Sequence, residues 1–76
     1  MSKKSNLKKA IAESEKEIEN LEKRRERSQS SLLGSYVNQT KPDEADVEYF
    51  NVLTELIELE RDNIRKLTAE LNSLDK

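Results

Sequence analysis

The sequence predicts an all-α fold, a two-helix antiparallel coiled-coil hairpin, and three observations predict it. Apolar residues recur at alternating steps of three and four along two long segments. The single Gly and the single Pro both fall in the short stretch between those segments. Charge divides the same way. Residues 1–31 hold nine Lys and Arg against six Asp and Glu, and the remainder holds five against ten. With 39% charged residues, the chain would read as disordered if its apolar groups were scattered, but they are periodic.

The first helix is expected over about residues 3–33. Its apolar positions are Leu7, Ile11, Ile18, Leu21 and Leu32. Filling the gaps at helical spacing adds Ser14, Arg25 and Ser28, so the seam is weakest in its distal half. A connection is expected over about residues 34–42, with Gly34 ending the helix in the left-handed conformation that Gly adopts at little cost. Thr40 or Lys41 is expected to cap the second helix and Pro42 to lie in its first turn. Asp43, Glu44 and Asp46 then stand near the positive end of the helix dipole.

The second helix is expected over about residues 43–74. Its seam runs Phe50, Leu53, Ile57, Glu60, Ile64, Leu67, Leu71 and Leu74, and only Glu60 is polar. The period is close to 3.5, which favours a left-handed supercoil. One hairpin over residues 3–74 follows, joined by a connection short enough for antiparallel neighbours. Folding back sets Leu7 beside Leu71, Ile11 beside Leu67, Leu21 beside Ile57, Ser28 beside Phe50 and Leu32 beside Val47. The basic run Lys23 to Arg27 is then expected across from Glu48, Glu55 and Glu58, in exposed pairs worth ~1 kcal/mol or less each.

Composition narrows the function. With no His and no Cys, the usual general base, thiolate nucleophile and zinc ligands are missing. One Gly allows no Gly-rich phosphate loop. The expectation is a non-enzyme with no cofactor and no metal. Glu55, Glu58 and Glu60 read as a solvated helix face rather than a cation site. No apolar run reaches the ~20 residues that span a bilayer. No apolar stretch follows Met1-Ser2-Lys3-Lys4, so no secretory signal is expected and placement in the cytoplasm is. The run Lys23-Arg24-Arg25-Glu26-Arg27 is short, interrupted by Glu26 and without interleaved aromatics, in a chain of net charge −2. It reads as cross-hairpin pairing and solvated face. Nucleic acid is not an expected partner, and a membrane is expected only indirectly, through a larger protein.

Surplus apolar surface is the more informative feature. Val52, Leu56 and Leu59 lie off the second seam and form a stripe of their own at steps of four and three. With Val47, Tyr49, Phe50, Leu53 and Ile57 they make the first half of the second helix apolar over a wide arc. One narrow seam, offering Arg25 and Ser28 at that height, does not cover it. The candidates for its cover are the connection folding back through Leu33, Tyr36 and Val37, the N-terminal residues, a second copy of the chain, or a different protein. The candidate partner-binding residues are Tyr36, Val37, Val52, Leu56, Leu59, Arg24 and Arg27.

One further signal comes from likeness. Leu32-Leu33-Gly34-Ser35-Tyr36-Val37, then a polar stretch with Pro42, acidic residues, Val47 and heptads ending Ile64-Arg65-Lys66-Leu67-Thr68-Ala69-Glu70-Leu71, resembles the Rho-effector homology-region-one domain. The copy found in F-BAR-containing actin regulators is the most similar. The resemblance covers about residues 30–74, and the first helix adds generic coiled-coil character. It implies an antiparallel coiled-coil finger that binds a GTP-loaded Rho-family small GTPase in signalling to actin and membrane remodelling. It further implies docking near the connection and the adjoining helix ends. The F-BAR copy carries a Met-Gly-Asp turn in its loop; this chain has Thr40-Lys41-Pro42-Asp43-Glu44 there. The alternative reading is a structural or oligomerisation segment without GTPase binding.

Overall fold

The structure is a computed structural model that describes residues 2–75. Two helices, α1 (Lys3–Val37) and α2 (Glu44–Ser73), pack antiparallel as an all-α hairpin with extents of 57 × 15 × 15 Å. At about 1.5 Å rise per residue, the helices alone account for most of the long dimension.

Each helix end is closed by named groups. Ser2 caps α1, its Oγ accepting from the Ser5 N–H at 3.0 Å. At the other end α1 passes through Gly34 and stops three residues later. The Gln39 N–H donates to the Tyr36 carbonyl at 3.1 Å, and the Thr40 N–H donates to the Ser35 carbonyl at 2.9 Å. Those two bonds, with Gln39 at φ 56°, form a Schellman termination. This corrects the expected end at Gly34. Gly34 has no positive φ, and its carbonyl accepts an ordinary helical bond from the Asn38 N–H at 3.0 Å. Tyr36 and Val37 therefore belong to the last turn of α1, not to the connection.

The cap of α2 also lies later than expected, two residues past Lys41. Pro42 disfavours helical geometry at Lys41 and itself lies outside the helix. Asp43 is the cap, its Oδ1 accepting from the Ala45 N–H at 2.9 Å, with Glu44 and Asp46 in the first turn. α2 ends at Ser73, so Leu74 sits beyond the last turn and is exposed rather than part of the seam.

Leu21 meets Ile57 as expected, and the Asn63–Ser14 and Arg25–Thr54 bonds fit the same register. Leu7, Leu21, Leu53 and Ile57 are buried, and Leu21, Leu53 and Ile57 form the core cluster with Ile18 against it. Ile11, Leu32, Phe50, Ile64, Leu67 and Leu71 are half-buried. Ser14 is buried at its seam position and accepts from the Asn63 side-chain amide at 3.0 Å. Arg25, Ser28 and Glu60 occupy the interface half-buried. Two helices alone cannot enclose a seam, because each covers its mate from one side only; among the described residues the buried apolar core is accordingly small.

Ion pairing differs from the expectation. Among the described residues, the pairs that cross the hairpin are Lys3–Glu70 at 3.3 Å, Lys4–Asp75 at 2.8 Å and Arg61–Glu22 at 3.9 Å. Lys23 pairs with Glu19 on its own helix, and Glu58 pairs with Arg61. The basic run does not meet Glu48, Glu55 or Glu58 in an ion pair among the described residues. The reason is angular. Lys23 lies two residues from both Leu21 and Arg25, and Glu55 two from both Leu53 and Ile57, so both side chains project away from the interface. Equal height along the hairpin does not bring them together.

Candidate protein-interaction surface

On α2, Tyr49, Val52, Leu56 and Leu59 each immediately precede a seam residue, respectively Phe50, Leu53, Ile57 and Glu60. One residue is about 100° of helical rotation, so these four side chains share one flank beside the seam. They are 48%, 42%, 41% and 64% exposed. In an antiparallel pair, residues that precede the seam on either helix fall on the same side of the hairpin. The matching residues of α1 at this height are Arg24, Arg27 and Ser31, which precede Arg25, Ser28 and Leu32. Arg24 and Arg27 are exposed and make no ion pair among the described residues.

The opposite flank is built differently. There the Arg25 guanidinium donates to Thr54 Oγ1 at 3.5 Å, and Arg61 meets Glu22. Thr54 and Arg61 follow Leu53 and Glu60 by one residue, which places them across the hairpin from the stripe. One flank is thus polar and internally paired, while the other is apolar and edged by free arginines. Towards the chain ends the apolar flank closes with the Asn63–Ser14 hydrogen bond and the Lys3–Glu70 pair.

The structure divides the expected partner-binding residues. Arg24, Arg27, Val52, Leu56 and Leu59 share the flank just described. Tyr36 and Val37 do not join them. Tyr36 follows the half-buried Ser35 by one residue, which puts it on the other flank, and it is 75% exposed at the closed end. Val37 is also exposed. The connection therefore leaves the α2 stripe uncovered. Tyr49 extends the stripe by one turn, and its place follows from the rule that each member precedes a seam position. A shallow groove of about 350 Å³, lined by Lys41, Pro42, Glu44, Val47, Glu48 and Asn51, lies at the first turns of α2, away from the stripe.

No group of acidic side chains among the described residues is placed to hold a metal ion. No described helix is long and apolar enough to cross a membrane. At the open end, a hydrogen bond from Lys4 and its positive charge hold the Asp75 carboxyl below its ordinary pKa, in an exposed pair between the first turn of α1 and the residues after α2. Comparison with protein-family models, curated proteins and solved structures finds no match.

Proposed function

We propose that the hairpin is a protein-interaction module that docks its partner on the flank formed by Tyr49, Val52, Leu56 and Leu59. The observation that carries this reading is a continuous apolar stripe left exposed beside two arginines that form no ion pair among the described residues. Apolar stripes of this kind on soluble proteins mark contact surfaces. Arginine beside aromatic and aliphatic anchors is typical of the residues that dominate binding energy. A GTP-loaded Rho-family GTPase is the first partner to test, on the strength of the resemblance over residues 30–74 and the two-helix shape. In this reading the hairpin performs no chemistry. It supplies a rigid surface that reports the nucleotide state of its partner.

Titrating labelled hairpin with GTP-loaded and with GDP-loaded Rho-family GTPases tests the assignment. Tighter binding of the GTP form, reduced by Leu56→Ser, supports it. An equal response to the two forms, or none, removes the GTPase. A second reading, an oligomerisation segment, draws on the smallness of the buried core, which association would enlarge. Sedimentation at high concentration separates the two.

A further inference from the structure

The stripe has its own period. Tyr49, Val52, Leu56 and Leu59 step by three, four and three residues, the spacing with which one helix receives the side chains of another. On α1 the half-buried Arg25 and Ser28 stand at the height of Phe50, so the seam beside the stripe is polar on the α1 side. The stripe's spacing suits a helix laid lengthwise along it.

The two edges of this surface carry opposite charge. Glu48 and Glu55 stand one residue before Tyr49 and Leu56, hence one further step around α2, and Asp62 continues the row. Glu48 and Glu55 are exposed and form no ion pair among the described residues; Asp62 is engaged by Arg65. Along α1, Arg24 and Arg27 are equally unengaged. The apolar stripe is thus bordered by an anionic edge on α2 and a cationic edge on α1.

We propose that this flank seats a third helix supplied by the partner, completing a three-helix bundle. The helix presents aliphatic side chains at three-four spacing, Lys or Arg along the edge over Glu48 and Glu55, and Asp or Glu along the edge over Arg24 and Arg27. This rests on the reading of the hairpin as an interaction module and names the chemistry of what docks there. A second copy of the chain fits less well. Stacking stripe on stripe sets the Glu48–Glu55 row against the same row of the other copy, where like charges repel. The other two-fold arrangement matches charge but lays the stripe over Arg24, Arg27 and Ser31 of the second copy, which offer no apolar complement.

Three synthetic helical peptides test this, all with the same leucine stripe. One has a lysine edge and a glutamate edge, one has glutamate on both edges, and one has lysine on both. The two-signed peptide is expected to bind the intact hairpin roughly tenfold more tightly than either single-signed one at low salt, with the gap narrowing as salt is added. Leu56→Ser should abolish binding while far-UV circular dichroism stays that of the wild type. Glu48→Lys with Glu55→Lys should reverse the preference towards the doubly acidic peptide. Equal binding of all three peptides, or none, overturns the proposal. So does a dimer in sedimentation that Leu56→Ser dissolves, which assigns the stripe to a second copy. A protein partner lost on Leu56→Ser while no peptide binds would remove the third helix and leave the interaction module standing. A partner indifferent to both Leu56→Ser and Leu59→Ser would remove both.

Discussion

Replacing Gly34 by Ala should make the hairpin more stable. Gly34 lies inside α1 without a positive φ, and a Cβ built on it meets no atom within 4 Å. A methyl group there restricts the unfolded chain and strains nothing in the folded one. Gly within a helix is less favourable than Ala by about 0.5–1 kcal/mol. For a chain of this size that is a rise in melting temperature of roughly 3–6 °C. Gln39 offers the reciprocal test. It holds φ 56°, where a side chain costs on the order of 1 kcal/mol that Gly avoids. Gln39→Gly should therefore also raise the melting temperature, although Gly is otherwise an unfavourable replacement. Thermal melts followed by far-UV circular dichroism, at concentrations where the midpoint does not depend on concentration, read both. A lower midpoint for Gly34→Ala would mean that the chain turns left-handed at Gly34, and the termination assigned to Gln39 would be refuted. A lower midpoint for Gln39→Gly would carry the same message.

Ile57→Asp should unfold the hairpin, since Ile57 is fully buried and an unpaired carboxylate there costs more than the ~5 kcal/mol a small fold has to spare; helical ellipticity in buffer measures it. Leu53→Ala should cost about 2–5 kcal/mol, whereas Leu56→Ala should leave the melt near that of the wild type and weaken partner binding. If Leu56→Ala melts as early as Leu53→Ala, then Leu56 is core and the flank is misassigned. Asp75 has a depressed folded-state pKa, so its tie to Lys4 contributes above the ordinary carboxylate range and is lost as pH falls through the folded value. The small difference in melting temperature between the wild type and Asp75→Asn should vanish in acid, and a difference that grows there would contradict the pairing.

The parts of this fold that were legible in the sequence are those that periodicity controls. A three-four repeat fixes which side of a helix is buried, and two such repeats of similar length fix the register. Ser14, Arg25, Ser28 and Glu60 could therefore be assigned to the interface although none is apolar, and each is buried or half-buried there. The end of α1 was not legible, because left-handed termination depends on backbone geometry that Gly only favours. Here Gln39 adopts it, while Gly34 stays helical. Charge pairing was misjudged for a different reason. Lys23 and Glu55 stand at one height, but each projects outward, and height along a hairpin says nothing about direction around it. Tyr36 and Leu56 likewise stand on different flanks, which spacing along the chain alone does not separate.

The two helices are unequal, and their inequality bears on function. α1 has one apolar seam, interrupted by Ser14, Arg25 and Ser28, and no second stripe. α2 has a nearly unbroken seam and a second apolar stripe beside it. A helix with one buried side is an outer member of a bundle; a helix apolar over two adjacent sides has neighbours on both. α2 thus has the side-chain pattern of a helix flanked on two sides, in a hairpin that supplies one neighbour. The proposed third helix would cover the stripe at the height where α1 is most polar, opposite Phe50, and would shield the seam there on that flank. On this argument the modest core and the exposed stripe have one cause. On the proposed reading, the apolar residues of α2 are distributed for three helices, of which this hairpin contributes two.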